Sequence, residues 1–477
     1  MTIVKPSVKY FLLLIYIAFF PLLIFAQSSK PNIIFVLTDD QRWDALGVMG
    51  NTILQTPNLD NLANNGILFQ NAYVTTSICC VSRASILTGA YQNKHKINDF
   101  ETDMSRDVLA ATYPYLLKQN GYQVGFIGKY GIGTAPPKEQ YDFWINTEEG
   151  GKMQPDYIQT FENGRRLHDT DTLSNAIQTF LDGYSGKQPF CLSVSFKAPH
   201  EQDGNPPEYI IQPGYEQLYK NVTIPYPITA KETYWNQFPD FFRTDSNFAR
   251  IRWKGLLGTS ELYQENMKNY YRLITGVDNA MGRMVRKLKE TGLDKNTVII
   301  FMGDNGMMLG EKNIEGKWFG YEESIKVPLI IYDPRAPDKI KQLKAQQMAL
   351  NIDIAPTILS LADIKVPGFM QGVNLMDVVQ GKIPERKYFF YQHYFLGSPR
   401  IPQVEGVVTK DLKYMKFIEH NYEELFDISL DPHEIDNLSK NTSHKKELQK
   451  MRKLYVEMRK KHGVDQAVMA NEKEAKF

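Results

Sequence analysis

The stretch Pro31-Asn32-Ile33-Ile34-Phe35-Val36-Leu37-Thr38-Asp39-Asp40 decides the fold. Between the proline and the polar end lies a nearly unbroken apolar run of strand length. A strand with one wet face alternates apolar and polar residues, whereas one apolar on both faces is covered on both sides, as parallel strands are. Further runs of this kind are Gln123 to Ile127, Phe190 to Phe196, Thr297 to Met302 and Pro328 to Tyr332. Helical patterns separate them at Asp107 to Gln119, Thr172 to Leu181, Asn266 to Glu290 and Ile352 to Leu361, and Thr56-Pro57-Asn58-Leu59-Asp60 opens another helix with a cap and an early proline. The alternation predicts an α/β fold, a large mostly parallel sheet sandwiched by helices.

The two ends of the chain read differently. Lys5 and Lys9 precede an apolar run from Phe11 to Phe25, and Ala26 gives way to polar residues. This predicts a signal peptide over 1–26 and export to the periplasm or beyond. The run falls short of the roughly 20 residues of a spanning helix, so no stable membrane anchor is expected. The catalytic α/β domain is placed at 27–383. From 384 to 477, short β-rich runs (Tyr388 to Tyr394, Val404 to Thr409, Tyr414 to Ile418) and a charged helix near His444 to His462 predict a smaller antiparallel sheet with a helix. The irregular stretch 202–250, rich in Pro, Tyr, Phe and Trp, reads as a functional insertion.

Composition excludes some classes. Lys+Arg 55 against Asp+Glu 54 leaves a formal charge of +1, so no global field points to nucleic acid. No Gly-x-Gly-x-x-Gly follows the first strand, which disfavours a dinucleotide site. The 3 cysteines, Cys79, Cys80 and Cys191, make no disulfide framework.

Ligands in open α/β sheets bind outside the carboxyl ends of the strands. Asp39-Asp40, Lys129, His200 and Asp304-Asn305 each follow a predicted strand. In isolation an Asp-Asp pair is a turn or cap, but Gly303-Asp304-Asn305-Gly306 after a second strand reverses that reading. Asp39, Asp40, Asp304 and Asn305 form an all-oxygen set suited to one Ca²⁺ ion, with Mg²⁺ the weaker fit. In Cys79-Cys80-Val81-Ser82-Arg83, a helix starting near Val81 would put Cys79 at its N-terminus with Arg83 one turn on, an oxyanion pocket in outline. Lys129, Lys317 and His200 add positive charge or a proton donor.

These residues resemble a family. Cys79 through Gly89, with Gly128-Lys129, Ala198-Pro199-His200, Gly303 to Gly306, Gly316-Lys317 and Glu424-Leu425-Phe426-Asp427, is similar to the ordered blocks of type I sulfatases of the alkaline phosphatase superfamily. The resemblance implies that Cys79 is oxidised to formylglycine by a formylglycine-generating or anaerobic sulfatase-maturating enzyme, and is held on the metal. It implies Asp304 as base, His200 or Lys317 as proton donor to the leaving alcohol, and Arg83, Lys129 and Lys317 as stabilisers of the sulfuryl oxygens. Cys80 fails the family spacing to arginine. The implied substrate is a sulfated oligo- or polysaccharide, of algal ulvan or carrageenan type or a glycosaminoglycan. Two other readings stand beside it: a phosphate mono- or diester hydrolase, and a glycan-binding protein without activity.

This chain departs from the pattern twice. Val81 stands where the family has proline, and Gly131 where many relatives carry histidine. His95 is one candidate to replace that imidazole, with a structural or substrate-contacting role as its other reading. His393, Arg400 and Lys94 are candidate sugar contacts or exposed structural residues. His433 is expected in a turn, and His444 and His462 on a solvated helix.

Overall fold

The computed structural model describes residues 30–148, 154–204, 206–395 and 401–463. The first strand, β1 (Asn32–Asp39), is buried at every position. It sits inside an eight-stranded sheet with β2 (Ile67–Tyr73), β3 (Gln123–Gly128), β4 (Phe143–Asn146), β5 (Phe190–Pro199), β6 (Thr297–Gly303), β7 (Leu329–Tyr332) and β8 (Leu343–Leu350), in the order β8-β2-β7-β6-β1-β5-β3-β4. β1 runs parallel to β5 and β6, β3 parallel to β5 and β4, and β2 parallel to β8. Only β7 in this sheet runs the other way, antiparallel to both β2 and β6.

The double-sided apolar run of β1 has its reason here. Ile33, Phe35 and Leu37 join one apolar cluster, while Ile34 and Val36 join a second on the opposite face. Burying each such side chain stabilises the fold by about 1.5–3 kcal/mol, so both faces need helical cover. The first face is covered by α2 (Cys79–Thr88), α3 (Tyr113–Gln119) and α7 (Ile354–Leu361), through Val81, Leu117 and Ile358. The second is covered by α1 (Pro57–Asn64), α4 (Asp169–Gly183) and α6 (Ser260–Glu290), through Leu62, Ile177 and Met281. Between β5 and α6 the expected insertion is mostly irregular, with a helical turn at Glu232–Trp235 and α5 (Phe248–Leu256) at its end.

Several local expectations are corrected. The helix expected over 107–119 is two, Arg106–Ala110 and α3, because Pro114 falls in the first turn of the second. Thr56 does not cap α1 with its side chain. Its hydroxyl accepts from Gly47 N at 2.8 Å, and the carboxylate of Asp278 on α6 instead accepts from Leu59 N at 2.8 Å and Asn58 N at 3.3 Å. β2, β4 and β8 are strands that the sequence reading did not place.

Segment 384–477 supplies an antiparallel sheet of β9 (Tyr388–His393), β10 (Val404–Thr409), β11 (Leu412–Phe417) and β12 (Tyr422–Asp427), backed by α8 (Lys445–Lys461) through Leu448, Met451, Tyr455 and Met458. Lys413 of β11 is buried between Glu322 and Glu434, 2.8 Å from each carboxylate. His462 is not solvated as expected: its ring packs on Tyr91 at 4.0 Å and stacks with Phe390. The signal peptide expected over 1–26 lies outside the described residues. Among the described residues no helix is long and apolar enough to cross a membrane.

Candidate active site

The polar strand ends converge. β1 ends in Asp39 and passes to Asp40, which takes a left-handed φ of 61°. β6, its parallel neighbour, ends at Gly303, and Asp304 N then donates to Thr38 O at 2.9 Å. This places the Asp39-Asp40 and Asp304-Asn305 pairs side by side. Lys129 follows β3 and His200 follows β5. α2 starts at Cys79 itself, two residues earlier than the sequence suggests, and Ile78 at its N-cap provides no side-chain acceptor. The approach to α2 is fastened from behind, since Ser77 Oγ donates to Ser324 O at 2.7 Å and Trp318 N donates to Ser77 O at 3.0 Å. That second bond brings the neighbouring Lys317 to the helix start.

Cations and carboxylates interlock there. Lys317 Nζ lies 2.5 Å from Asp40 Oδ1 and 2.9 Å from Cys79 Sγ. Cys79 Sγ in turn lies 3.2 Å from Asp39 Oδ1, and Lys129 Nζ binds Asp39 Oδ2. Arg83 Nε donates to Asp304 Oδ2 at 2.9 Å, while its Nη1 donates to Lys129 O at 2.8 Å and Ser195 Oγ at 2.5 Å. Asn305 Nδ2 donates to Asp40 Oδ1 at 2.5 Å, and His200 Nε2 stands 3.4 Å from Asp40 Oδ2. All eight residues predicted from sequence for this place, and Cys79 with them, are brought together and buried.

Burial sets the electrostatics. It raises Asp39, yet Lys129, His200, Arg83 and Lys317 together overcome it and hold that carboxyl well below the usual range. Asp304 goes the other way: burial, then the charge of Asp39, push it up to about 6 against Arg83. Burial and Asp39 push the Cys79 thiol well up, against Lys317 and Lys129. Burial would discharge Lys317, but Asp40, Cys79 and Asp39 raise it well above an ordinary lysine.

A cation fits these donors. Ligand atoms of Asp39, Asp40, Cys79 and Asp304 lie within 4.8 Å of one another. Asp40 Oδ2 and Asn305 Oδ1 are buried acceptors without a hydrogen-bond partner among the described residues. Leaving a buried acceptor unsatisfied costs about 1–3 kcal/mol, and a hard cation is the partner that such oxygens suit.

Other candidates separate from the site. Both ring nitrogens of His95 are engaged, Nε2 with Ser85 Oγ at 3.0 Å and Nδ1 with Ile97 N at 3.1 Å, so its role is structural. His393 is wholly buried, Lys94 is half-buried with its Nζ 3.3 Å from Gly368 O, and Arg400 lies outside the described residues. Cys80 is buried in the apolar cluster, and His433 is an exposed turn residue. The reading missed Ser195, which holds Arg83, and Glu148, whose carboxylate accepts from Tyr130 N at 3.0 Å and Gly131 N at 2.9 Å. It also missed Glu201, Arg252 and Glu315 behind His200. Glu201 could have been noticed as the residue after His200; the other two carry no local signal.

Comparison with known proteins bears on this arrangement. The sulfatase family matches residues 31–364, and the C-terminal region of N-sulphoglucosamine sulphohydrolase matches 310–461. The chain is 28% identical to an N-acetylglucosamine-6-O-sulfatase of Bacteroides thetaiotaomicron, over 91% of this chain and 87% of that protein. It is 28% identical to an ulvan-active sulfatase of Formosa agariphila, over 86% and 78%. A protein solved in complex with its substrate D-glucosamine-2-N,6-O-disulfate superposes with a TM-score of 0.78 at 26% identity, covering 92% of this chain and 99% of that one. With the family matched across the main sheet and every site strand, the chain belongs to the sulfatase family and is a sulfatase.

Proposed function

We propose that this sulfatase removes sulfate from a sulfated oligo- or polysaccharide, with Cys79 as the precursor of its nucleophile. The observation that carries this reading is the convergence of Cys79, Arg83, Lys129 and Lys317 on Asp39, Asp40 and Asp304 at one end of the sheet. The relatives named for N-acetylglucosamine 6-sulfate and ulvan, and the one solved with a sulfated glucosamine, support a carbohydrate.

In this reading Asp39, Asp40, Asp304 and Asn305 would hold one Ca²⁺ ion. An ion bound there would supply Lewis-acid charge to the reaction. Formylglycine made from Cys79 would supply, as its hydrate, the pair of hydroxyls that sulfate transfer and release require and that a plain thiol lacks. Asp304 Oδ1 or Oδ2 takes the proton of the attacking hydroxyl, as an acceptor fixed in place by Arg83 and Asp40 N. Arg83, Lys129 and Lys317 are fixed cations around the sulfuryl group, so their charge acts without reorganisation. His200 Nε2 gives its proton to the departing sugar oxygen. The signal over 1–26 would deliver the enzyme to the periplasm.

The test is free sulfate released by purified protein whose Cys79 peptide is verified as formylglycine by mass spectrometry. Substrates are glucosamine 6-sulfate, sulfated glycosaminoglycan oligosaccharides, ulvan and carrageenan fragments, each with Ca²⁺, and one matched phosphate ester. Release from at least one sugar and loss of it in Cys79→Ala are expected. Silence across all sugars, or faster phosphate than sulfate release, overturns the reading.

A further inference from the structure

Behind His200 runs a chain of buried charge that joins the site to the long insertion. His200 Nδ1 lies 2.6 Å from Glu201 O. A carbonyl only accepts, so Nδ1 carries its hydrogen and Nε2 is the atom left to face the reaction. Nε2 indeed points to the site, 3.4 Å from Asp40 Oδ2 and 3.3 Å from Gln154 Nε2. The side chain of Glu201 is bound on its far side by Arg252 Nη2, and Arg252 Nε donates to Glu315 Oε2 at 2.5 Å, with Nη2 3.1 Å from Glu315 Oε1. The exposures are 2% for Glu201, 12% for Arg252 and 0% for Glu315. Glu201 is joined to His200 by one peptide bond, and Glu315 lies two residues before Lys317. One guanidinium, carried by α5 at the end of the insertion, therefore ties together the two segments, after β5 and between β6 and β7, that bear both candidate proton donors.

We infer that Arg252 is a positioning residue, which holds the Glu201 and Glu315 backbones so that His200 Nε2 is aimed at the departing oxygen. A planar guanidinium suits this place, because its fork reaches two carboxylates in fixed directions and it stays charged when buried. No contact of Arg252 with the substrate is required. The inference rests on the proposed function only in taking His200 as the acid.

The experiment compares two sulfate esters. A sugar sulfate leaves as a poorly acidic alcohol and needs the proton, whereas an aryl sulfate of an acidic nitrophenol departs without it. In Arg252→Lys, kcat on the sugar sulfate should fall about 10- to 100-fold, with KM within about twofold and the aryl sulfate slowed less than about threefold. Glu315→Gln, which loosens the far anchor without removing the arginine, should show the same split more weakly and serves if Arg252→Lys does not fold. Equal losses on both esters, or none, would overturn the inference, since a merely structural role slows both alike. His200→Ala separates the premises. If it shows the split and the Arg252 and Glu315 variants do not, the positioning role falls; if His200→Ala itself shows no split, the assignment of the acid falls and takes the inference with it.

Discussion

Gly131 stands where a side chain would press on two cations of the candidate site, Arg83 and Lys129. At its φ of 69°, a Cβ would lie 3.0 Å from Arg83 Cδ and 3.3 Å from Lys129 Cε. A histidine there, as many relatives are expected to carry, would require both neighbours to give way. Gly131→Ala should cost about 1–2 kcal/mol from the left-handed backbone alone and lower kcat by displacing Arg83 or Lys129. Thermal melting and kinetics check it, and an alanine variant with unchanged kcat would contradict the crowding argument. His393 offers a second test. Burial pushes its imidazole down to about 3, and neither ring nitrogen has a hydrogen-bond partner among the described residues. The unfolded chain takes up this proton below about pH 6.5 and the folded chain does not, so its contribution is intact above about 6.5 and is lost as pH falls toward 3. His393→Phe should thus stabilise the chain relative to the parent, and by more at pH 5 than at pH 7.5, with a slope of up to about 1.4 kcal/mol per pH unit. Denaturant unfolding at the two pH values measures this. A gap independent of pH would mean that the ring is not held neutral.

Asp39, Asp40, Lys129, His200, Asp304 and Asn305 were legible because they stand at the ends of apolar strands, where a charge stands out, whereas Cys79, Arg83 and Lys317 were legible only through their motifs. Arg252 was not, because its carboxylate partners lie 51 and 63 residues away and no periodicity links them. The same contrast holds for elements. β1, β5 and β6 are buried on both faces and announce themselves. β8, Leu-Lys-Ala-Gln-Gln-Met-Ala-Leu, is a half-exposed edge strand built from residues equally at home in a helix, and Gln70-Asn71 interrupt the apolar run of β2. Tertiary pairing, not local propensity, makes them strands. Helix α1 shows the same dependence, since its free N-H groups are met by Asp278 from α6, rather than by Thr56. Asp278→Ala should cost about 1–2 kcal/mol, the worth of a lost N-cap, whereas Thr56→Val should leave the α1 amides satisfied. Hydrogen exchange at Asn58 and Leu59 distinguishes the two. Faster exchange in the Thr56 variant alone would reverse the assignment.

Across the whole molecule, the two sheets are held by buried charge as well as by apolar packing. Lys413 bridges Glu322, beside the main sheet, and Glu434, beyond the small one, and Glu322 N also donates to Glu434 Oε2 at 2.7 Å. Removing one partner strands the others without water, so Lys413→Met should cost about 3–5 kcal/mol. Calorimetry should show a single transition at lower temperature, with both sheets melting together. Two separated transitions in the parent protein would show that the bridge does not couple them.

The lone reversed strand has a wider consequence. β6 delivers the chain to the site at Gly303, and β7 takes it away again from Leu329, with Met302 and Leu329 paired in register. A parallel successor would have carried residues 304–328 back across the sheet through a helix. Because β7 runs downward, that whole segment leaves and re-enters the sheet at the same rim, closed by neighbouring hydrogen-bonded strands. It is an inward-folded cassette, buried at every residue from 304 to 325, that brings Asp304, Asn305 and Lys317 to the site without rethreading the sheet. The stretch between Gly310 and Gly316 is buried as well, and Glu315 within it holds Arg252, so this rim is tied to the site it frames.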